Sequence, residues 1–600
     1  MKSSQYLLLT LVSLPFCASA QNNNEDIETV VVTATRTAQA ADLVLAPVIV
    51  IDRATIDRSM AADLADLLKF HAGLDIARSG GVGQPTSVFM RGTESNHTLV
   101  MIDGVKINPG TAGGAALQQI SPAMVERIEI VKGPRSSLYG SEAIGGVINV
   151  ITRGQAGPNG LSASFGGGSF ETSEGQVNGR MSGARGSLGA GVSWLDTDGY
   201  PVQTDSTLAS GHDNLSTNLS GGLSLAGVNI NAGYWDARGN TEYLDFLLTP
   251  LDQDFKNQAT TLQVDAIPLV NWETSMLLSH VVDELSQNQS PDFFSTDRDA
   301  LDWQNDILAG IHQLTAGLYL STEDTQAMSW GSGYDTTTDV KAIYAQDQVT
   351  FGPHYLVAAA RHTSHETAGN YNTWNLDYAV AITPRVRLNA GAGTGFRAPD
   401  SSERYGFGGN PTLQPETSTN LELGVNYRPD ALRQLWLRMF RNEIDNLIEY
   451  IILDFNTYEG INQNVARARI EGLEAGYEYR DENWQLRVEA IAQDPTDLDT
   501  GEQLLRRASQ SLTASAVRNI GRFALGLDML CSRERKDFGY PSPVTLPGYG
   551  LFNLNGRMGL GQNWWLQASI ENILDKQYQT VAGYPSASRG VYLSFNYRSY

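Results

Sequence analysis

From residue 161 onward the chain alternates, apolar and polar residues following one another with a period of two. Leu421, Leu423, Val425 and Tyr427 are separated by Glu422, Gly424 and Asn426. Trp484, Leu486, Val488 and Ala490 are separated by Gln485, Arg487 and Glu489, and Val591, Leu593, Phe595 and Tyr597 by Tyr592, Ser594 and Asn596. Successive strand side chains point to opposite faces, so each segment has one apolar and one wet face. A soluble sandwich hides its apolar faces between sheets; a membrane barrel turns them to lipid and keeps a polar lumen. No second apolar layer is evident to build a sandwich. About 440 residues at ~20 per strand with its loop predict roughly 22 strands, a width at which the lumen needs filling. The expectation is an all-β transmembrane barrel of antiparallel strands.

The start of the chain agrees with export. Lys2 supplies a positive charge, residues 6–16 a short apolar core and Ala18-Ser19-Ala20 a cleavage site. Residues 1–20 therefore read as a signal peptide, with Gln21 as the mature N-terminus. No apolar run reaches the ~20 residues of a membrane helix. The 600 residues carry a formal net charge of −24, with 41% hydrophobic and 18% charged residues. This composition folds and is too long for one ordinary domain. It lacks the basic footprint that nucleic acid requires. The two cysteines, Cys17 in the leader and Cys531, leave no disulfide in the mature chain. There is no Gly-x-Ser-x-Gly elbow, no His-Glu-x-x-His and no paired cysteine motif, so no enzyme is expected. His362 and His365 have no further ligands nearby in sequence, and Gly391-Ala-Gly-Thr-Gly395 lacks the helix and acid of a dinucleotide site.

Between leader and barrel the chain divides into a periplasmic segment, 21–40, whose polar start 21–26 is expected to be mobile, and a domain, 41–155, with the barrel over 156–600. Glu28, Thr29, Val30, Val31, Val32, Thr33 and Ala34 make a short β-branched strand. Such a segment adds readily to another protein's sheet edge. Residues 44–51 read as a strand. Residues 53–70 read as a helix with Leu64, Leu67 and Leu68 on one face. Two glycine-rich loops, 80–83 and 110–114, lack the Lys-Ser/Thr ending of a phosphate loop. The densest punctuation lies in 86–152. It holds Ser87-Val-Phe-Met-Arg-Gly-Thr93, Leu99-Val-Met-Ile-Asp-Gly-Val105 and Val131-Lys-Gly-Pro-Arg-Ser-Ser-Leu-Tyr-Gly-Ser-Glu-Ala-Ile-Gly-Gly-Val-Ile-Asn-Val150.

Alternation points Glu422 and Glu474 into the lumen, where a carboxylate needs a cationic partner. Arg91 and Arg135, in the two densest motifs, offer forked partners. The expectation is that these four residues lock the 41–155 domain to the barrel.

The motif series of 86–152 resembles the plug domain of TonB-dependent outer-membrane transporters, in particular their cobalamin branch. Further marks are Gly395-Phe-Arg-Ala-Pro-Asp400, Asn410-Pro-Thr-Leu-Gln-Pro-Glu416, Leu504-Leu-Arg-Arg507 and Asn572-Ile-Leu-Asp-Lys-Gln-Tyr578. The resemblance implies an α+β plug inside the barrel and residues 28–34 as the TonB box. It implies TonB of the TonB–ExbB–ExbD complex as energy source, assembly by the barrel machinery among outer-membrane lipid, and a monomer in a Gram-negative outer membrane. It implies cobalamin contacts at Thr86, Ser87, Glu94, Ala112, Gly113, Arg506 and Tyr540. Asn is expected where Glu94 stands and Ser where Gly113 stands, which keeps a ferric siderophore, haem or another metal chelate as the alternative cargo. It also implies calcium on loops 196–213 and 236–254, through Asp213, Asp236 and Asp252, with Asp205 as a substitute ligand. There Pro201 and Leu215 replace expected Asp, and Trp235 an expected Tyr. The end departs too: the outward series would run past Tyr597 to Ser599, with Tyr600 appended.

Overall fold

A computed structural model describes residues 31–32, 36–37, 39–40, 44–454, 459–540 and 542–599. The predicted signal peptide and most of the predicted TonB box lie outside them. Val31 and Val32 are described and pair with Ala40 and Gln39.

The alternating segments close into an antiparallel barrel of 22 strands, from Gly160–Gly168 to Gly590–Arg598, which pair with each other through Phe165 and Phe595. Closure leaves no unpaired edge, which lipid would not tolerate. Leu421, Leu423, Leu473, Val591 and Leu593 face outward and are exposed, as the alternation requires. Leu262, Leu278, Leu301 and Leu320 stand side by side across four strands as one apolar row. Trp564 packs against Phe595 and Tyr597 near the C-terminus; Tyr600 lies outside the described residues. No described helix is long and apolar enough to cross a membrane; the crossings are made by strands.

One rim of the barrel carries tight turns such as 226–227 and 310–311, and the other carries loops such as 398–415 and 533–548. The two Asp-rich stretches expected as loops are mostly strand. Gly186–Pro201 and Ala209–Leu225 flank a loop of only 202–208, and Val228–Leu244 and Pro250–Leu269 flank 245–249. Their polar residues continue the backbone ladder beyond the apolar belt, which composition alone does not reveal.

Inside the barrel sits a mixed plug. Its five-stranded sheet is ordered Val48–Ile51, Val125–Lys132, Gly146–Thr152, Thr98–Ile102, Val105–Lys106, with one parallel pairing between Thr98–Ile102 and Gly146–Thr152. A hairpin, Leu74–Arg78 with Thr86–Met90, rises beside it. The Asp103-Gly104 turn has φ of 50° and 85°, the left-handed pair that a two-residue hairpin favours. Burial pushes the Asp103 carboxyl up to about 6 although Thr152 donates to it from Oγ1 and N, at 2.7 and 2.8 Å.

The helix expected over 53–70 is two short helices, Arg53–Ser59 and Leu64–Leu68. Met60 turns left-handed at φ 51°, and Asp63 starts the second helix by accepting from the Asp66 amide. An acid able to cap thus interrupts the periodic pattern. Leu64, Leu67 and Leu68 all enter the plug core.

Candidate functional site

Buried charges join the plug to the barrel beside apolar contacts such as Ala72 and Ile144 with Phe440 and Ile470. Arg91, following the hairpin strand Thr86–Met90, places Nη1 2.6 Å from Glu422 Oε2 and Nη2 2.6 Å from Glu474 Oε2. Lys132 Nζ takes the other Glu474 oxygen at 2.9 Å. Burial opposes the charge of Arg91, but the two carboxylates outweigh it and hold its pKa above the usual arginine value. Gly73 makes this possible. Its φ is +80°, and a Cβ there would lie 2.5 Å from Glu474 Oε1. Arg135 is not part of this cluster: its Nη1 lies 3.2 Å from Asn375 and 3.5 Å from Asp377. Turning into the short helix Ser136–Tyr139 carries its side chain toward the strand Gly369–Thr383. In place of the expected Arg91, Arg135, Glu422 and Glu474, the cluster is Arg91, Lys132, Glu422 and Glu474, and sequence reasoning passed over Lys132 two residues before Pro134.

A second cluster holds the plug apex. His97 Nδ1 accepts from the Glu94 amide at 3.2 Å, so in the neutral ring Nε2 carries the proton that Glu416 receives at 2.7 Å. Arg397 also reaches Glu416 and forks onto Glu403 at 2.8 and 2.9 Å. The helix Ser401–Tyr405 then receives the apex loop: Ser401 and Ser402 amides donate to Gly110 and Thr111 carbonyls. Buried Asn108 ties the loop from below, donating to Gly113 and accepting from Val100. Arg397 and Glu416 stood in the two mid-barrel motifs, which marked them without disclosing their role.

Apex and hairpin are pinned from the other side by Arg507. It bonds Glu94, donates to the Gly92 carbonyl at 3.2 Å and lies over the Phe89 ring. Its neighbour Arg506, expected to contact cargo, instead turns to Asp537 at 2.7 Å. Arg506 is left-handed, with φ 66°, which sends the adjacent arginines to opposite sides. Asp75 pairs with buried Arg535 at 3.0 Å. Behind the predicted TonB box, Arg36 bonds Asp302 at 2.6 Å and the Tyr344 hydroxyl at 2.9 Å. Nothing in its sequence neighbourhood singles out Arg36.

Thr86, Ser87, Glu94 and Ala112 come together. They line an open cleft of about 440 Å³ between the plug apices and the wall residues Asp283, Glu284 and Phe294. Gly113 sits beside it, its Cβ position 3.3 Å from Asp400. Arg506 and Tyr540 lie outside the cleft, and Tyr540 is exposed on a loop. The four acids expected to hold calcium do not converge. Asp236 is taken by Arg238 at 2.8 Å and by Gln258, and Asp252 by the carboxamides of Asn240, Asn288 and Gln289. Asp213 lies beside Asp196 in register, and Asp205 is exposed in the 202–208 loop. As placed, these side chains do not fit the six to eight oxygens of a calcium cage.

The family description "TonB dependent receptor-like, beta-barrel" matches residues 149–573, and "TonB-dependent Receptor Plug Domain" matches 41–147. The chain belongs to the TonB-dependent receptors. This receptor is 31% identical, over 628 aligned positions and 98% of both chains, to a Vibrio vulnificus protein described as the vitamin B12 transporter BtuB. Its fold resembles the siderophore receptor PirA of Acinetobacter baumannii, with TM-score 0.78, 17% identity and coverage of 92% and 98%. The FrpB iron transporter of Neisseria meningitidis gives 0.79, 15%, 92% and 99%. The receptor is an outer-membrane barrel of a Gram-negative bacterium and carries a ligand with energy supplied through TonB; its family is one of transporters.

Proposed function

We propose that this receptor imports cobalamin. Cargo binds in the cleft above the plug. TonB, driven by ExbB and ExbD, pairs with residues 28–34 and pulls the plug into an open arrangement. The observation that carries this reading is the cleft itself, which gathers Thr86, Ser87, Glu94 and Ala112 at the plug apices in a chain related across its length to a vitamin B12 transporter. The chemistry of the wall supports it over ferric siderophores. Its lining carries Asp283, Glu284 and Glu94 and no Lys or Arg; Arg507 and Lys256 offset two of the acids from behind, so the cleft offers an anionic chelate no cation, and an uncharged corrinoid needs none.

The test is equilibrium binding of cyanocobalamin to purified receptor in detergent, with and without calcium. Saturable binding that weakens at least tenfold in Ser87→Trp, which fills the cleft, is the expected result. Absence of binding in both conditions overturns the cobalamin reading and sends the search to haem and other metal chelates. A calcium-dependent gain would mean that the Asp strands rearrange to form a cage.

A further inference from the structure

Along one flank of the plug, a seam of about 110 Å³ separates residues 99–113 and 139–142 from the strands between Trp272–Gln287 and Val386–Arg397. A water needs roughly 10–15 Å³ of such space, so the seam has room for a small ion. In a chain of net charge −24 it is lined by six Lys/Arg side chains against four Asp/Glu. Four of these cations are matched to carboxylates, and half-buried Arg404 donates to the Thr367 and Pro411 carbonyls. Lys106 pairs with Glu142, Arg298 with Glu323, Arg397 with Glu403 and Glu416, and Arg36 with Asp302.

Arg361 is not matched. It is only 4% exposed. Its Nε donates to Thr363 Oγ1 and its Nη1 to the Leu138 carbonyl, each at 3.0 Å. Among the described residues Nη2 has no hydrogen-bond partner, and no carboxylate lies within 4.0 Å of the guanidinium. The Leu138 carbonyl also receives Arg36 Nε at 3.0 Å, and both guanidiniums lie against the Tyr344 ring, at 4.3 and 5.7 Å. Two buried cations thus converge on one carbonyl with one carboxylate, Asp302, between them. A buried charge without its counter-charge is costly. The free Nη2 faces Gly140, where a Cβ would stand 3.2 Å away. The missing side chain leaves open the space an anion would occupy, and a planar guanidinium suits an oxyanion.

We propose that Arg361 Nη2 holds a small inorganic oxyanion of the phosphate class in this seam. The anion supplies the counter-charge that the pair of arginines lacks. It also couples the seam to Arg36, the residue that fastens the chain behind the N-terminal handle.

Calorimetric titration of inorganic phosphate into the full-length receptor in detergent, at ionic strength held by a bulky organic anion, tests this. The expected result is one saturable site, weakened at least tenfold in Arg361→Gln and less in Arg361→Lys. No saturable heat, or equal binding in Arg361→Gln, overturns the proposal. Should Arg361→Gln fail to fold, wild-type crystals soaked in selenate decide: an anomalous peak within hydrogen-bond distance of Nη2 supports the site, and its absence removes it.

Discussion

Glu474 accepts from two cations at once, Arg91 and Lys132, in a setting only a few per cent exposed. Removing one partner of a buried pair costs roughly 3–5 kcal/mol, because the remaining charge stays buried. Glu474→Ala should therefore lower plug stability by about that much, read from the denaturant midpoint of plug amide exchange. A double-mutant cycle with Arg91→Ala should show strong coupling, whereas Glu474→Ala with Arg135→Ala should be additive, because those two side chains do not meet. Strong coupling in the second cycle would contradict the geometry. His71 gives a pH test. Burial holds its imidazole down at about 4, below the ordinary 6.5. Between those values a released plug binds the proton that the seated plug refuses. The His71 contribution is full above pH 6.5 and is lost as pH falls toward 4. Asp103 works the other way, since its raised carboxyl favours the seated plug on acidification. Comparison with His71→Gln isolates the term: wild type should lose on the order of 2–3 kcal/mol relative to the variant across that range. Parallel pH profiles would exclude it. At this scale the sequence disclosed only part. Inward-facing Glu422 and Glu474 and the candidate Arg91 followed from alternation and motif. Which cation answers which carboxylate depends on where helix Ser136–Tyr139 turns Arg135, and no local pattern records that.

Elements carry the apex. Loop 110–114 has little apolar surface and is held by Asn108 below and by helix Ser401–Tyr405 above. Glu416 joins that helix to His97 through Arg397. Glu416→Gln keeps the shape and removes the charge facing His97 and Arg397. Hydrogen exchange in 108–114 should then quicken at least tenfold, while the strand Val125–Lys132, paired on both sides, stays protected. Equal protection of both segments in the variant would show the helix to be a bystander. The strands themselves were legible, because alternation sets their faces and glycine-rich turns their ends. Their lengths were not. Ladder hydrogen bonding carries strands through Asp-rich stretches, so acids expected in calcium loops stand on paired backbone, and Asp236 meets Arg238 two residues on. The helix over 53–70 broke where Asp63 could cap, a competition that periodicity does not register.

At the scale of the molecule, a filled barrel was foreseeable from strand number, and its plug from the motifs of 86–152. The balance of forces between the two became visible only in three dimensions. The plug's apolar core runs on into the wall at Trp235, Phe255 and Val281, and Ala72 and Ile144 join a second apolar cluster with Phe440 and Ile491, while paired charges and amides fill the rest of the boundary. Breaking the charged contacts exposes groups that water solvates well, whereas lifting the plug out whole would also bare the apolar patches it shares with the wall. Weakening the charged contacts alone should loosen the plug and turn a closed door into a drain while the apolar patches stay covered. Cells carrying Glu474→Ala should assemble the barrel and become permeable to bulky antibiotics that the outer membrane normally turns away, with a killing threshold that falls as the seam loosens.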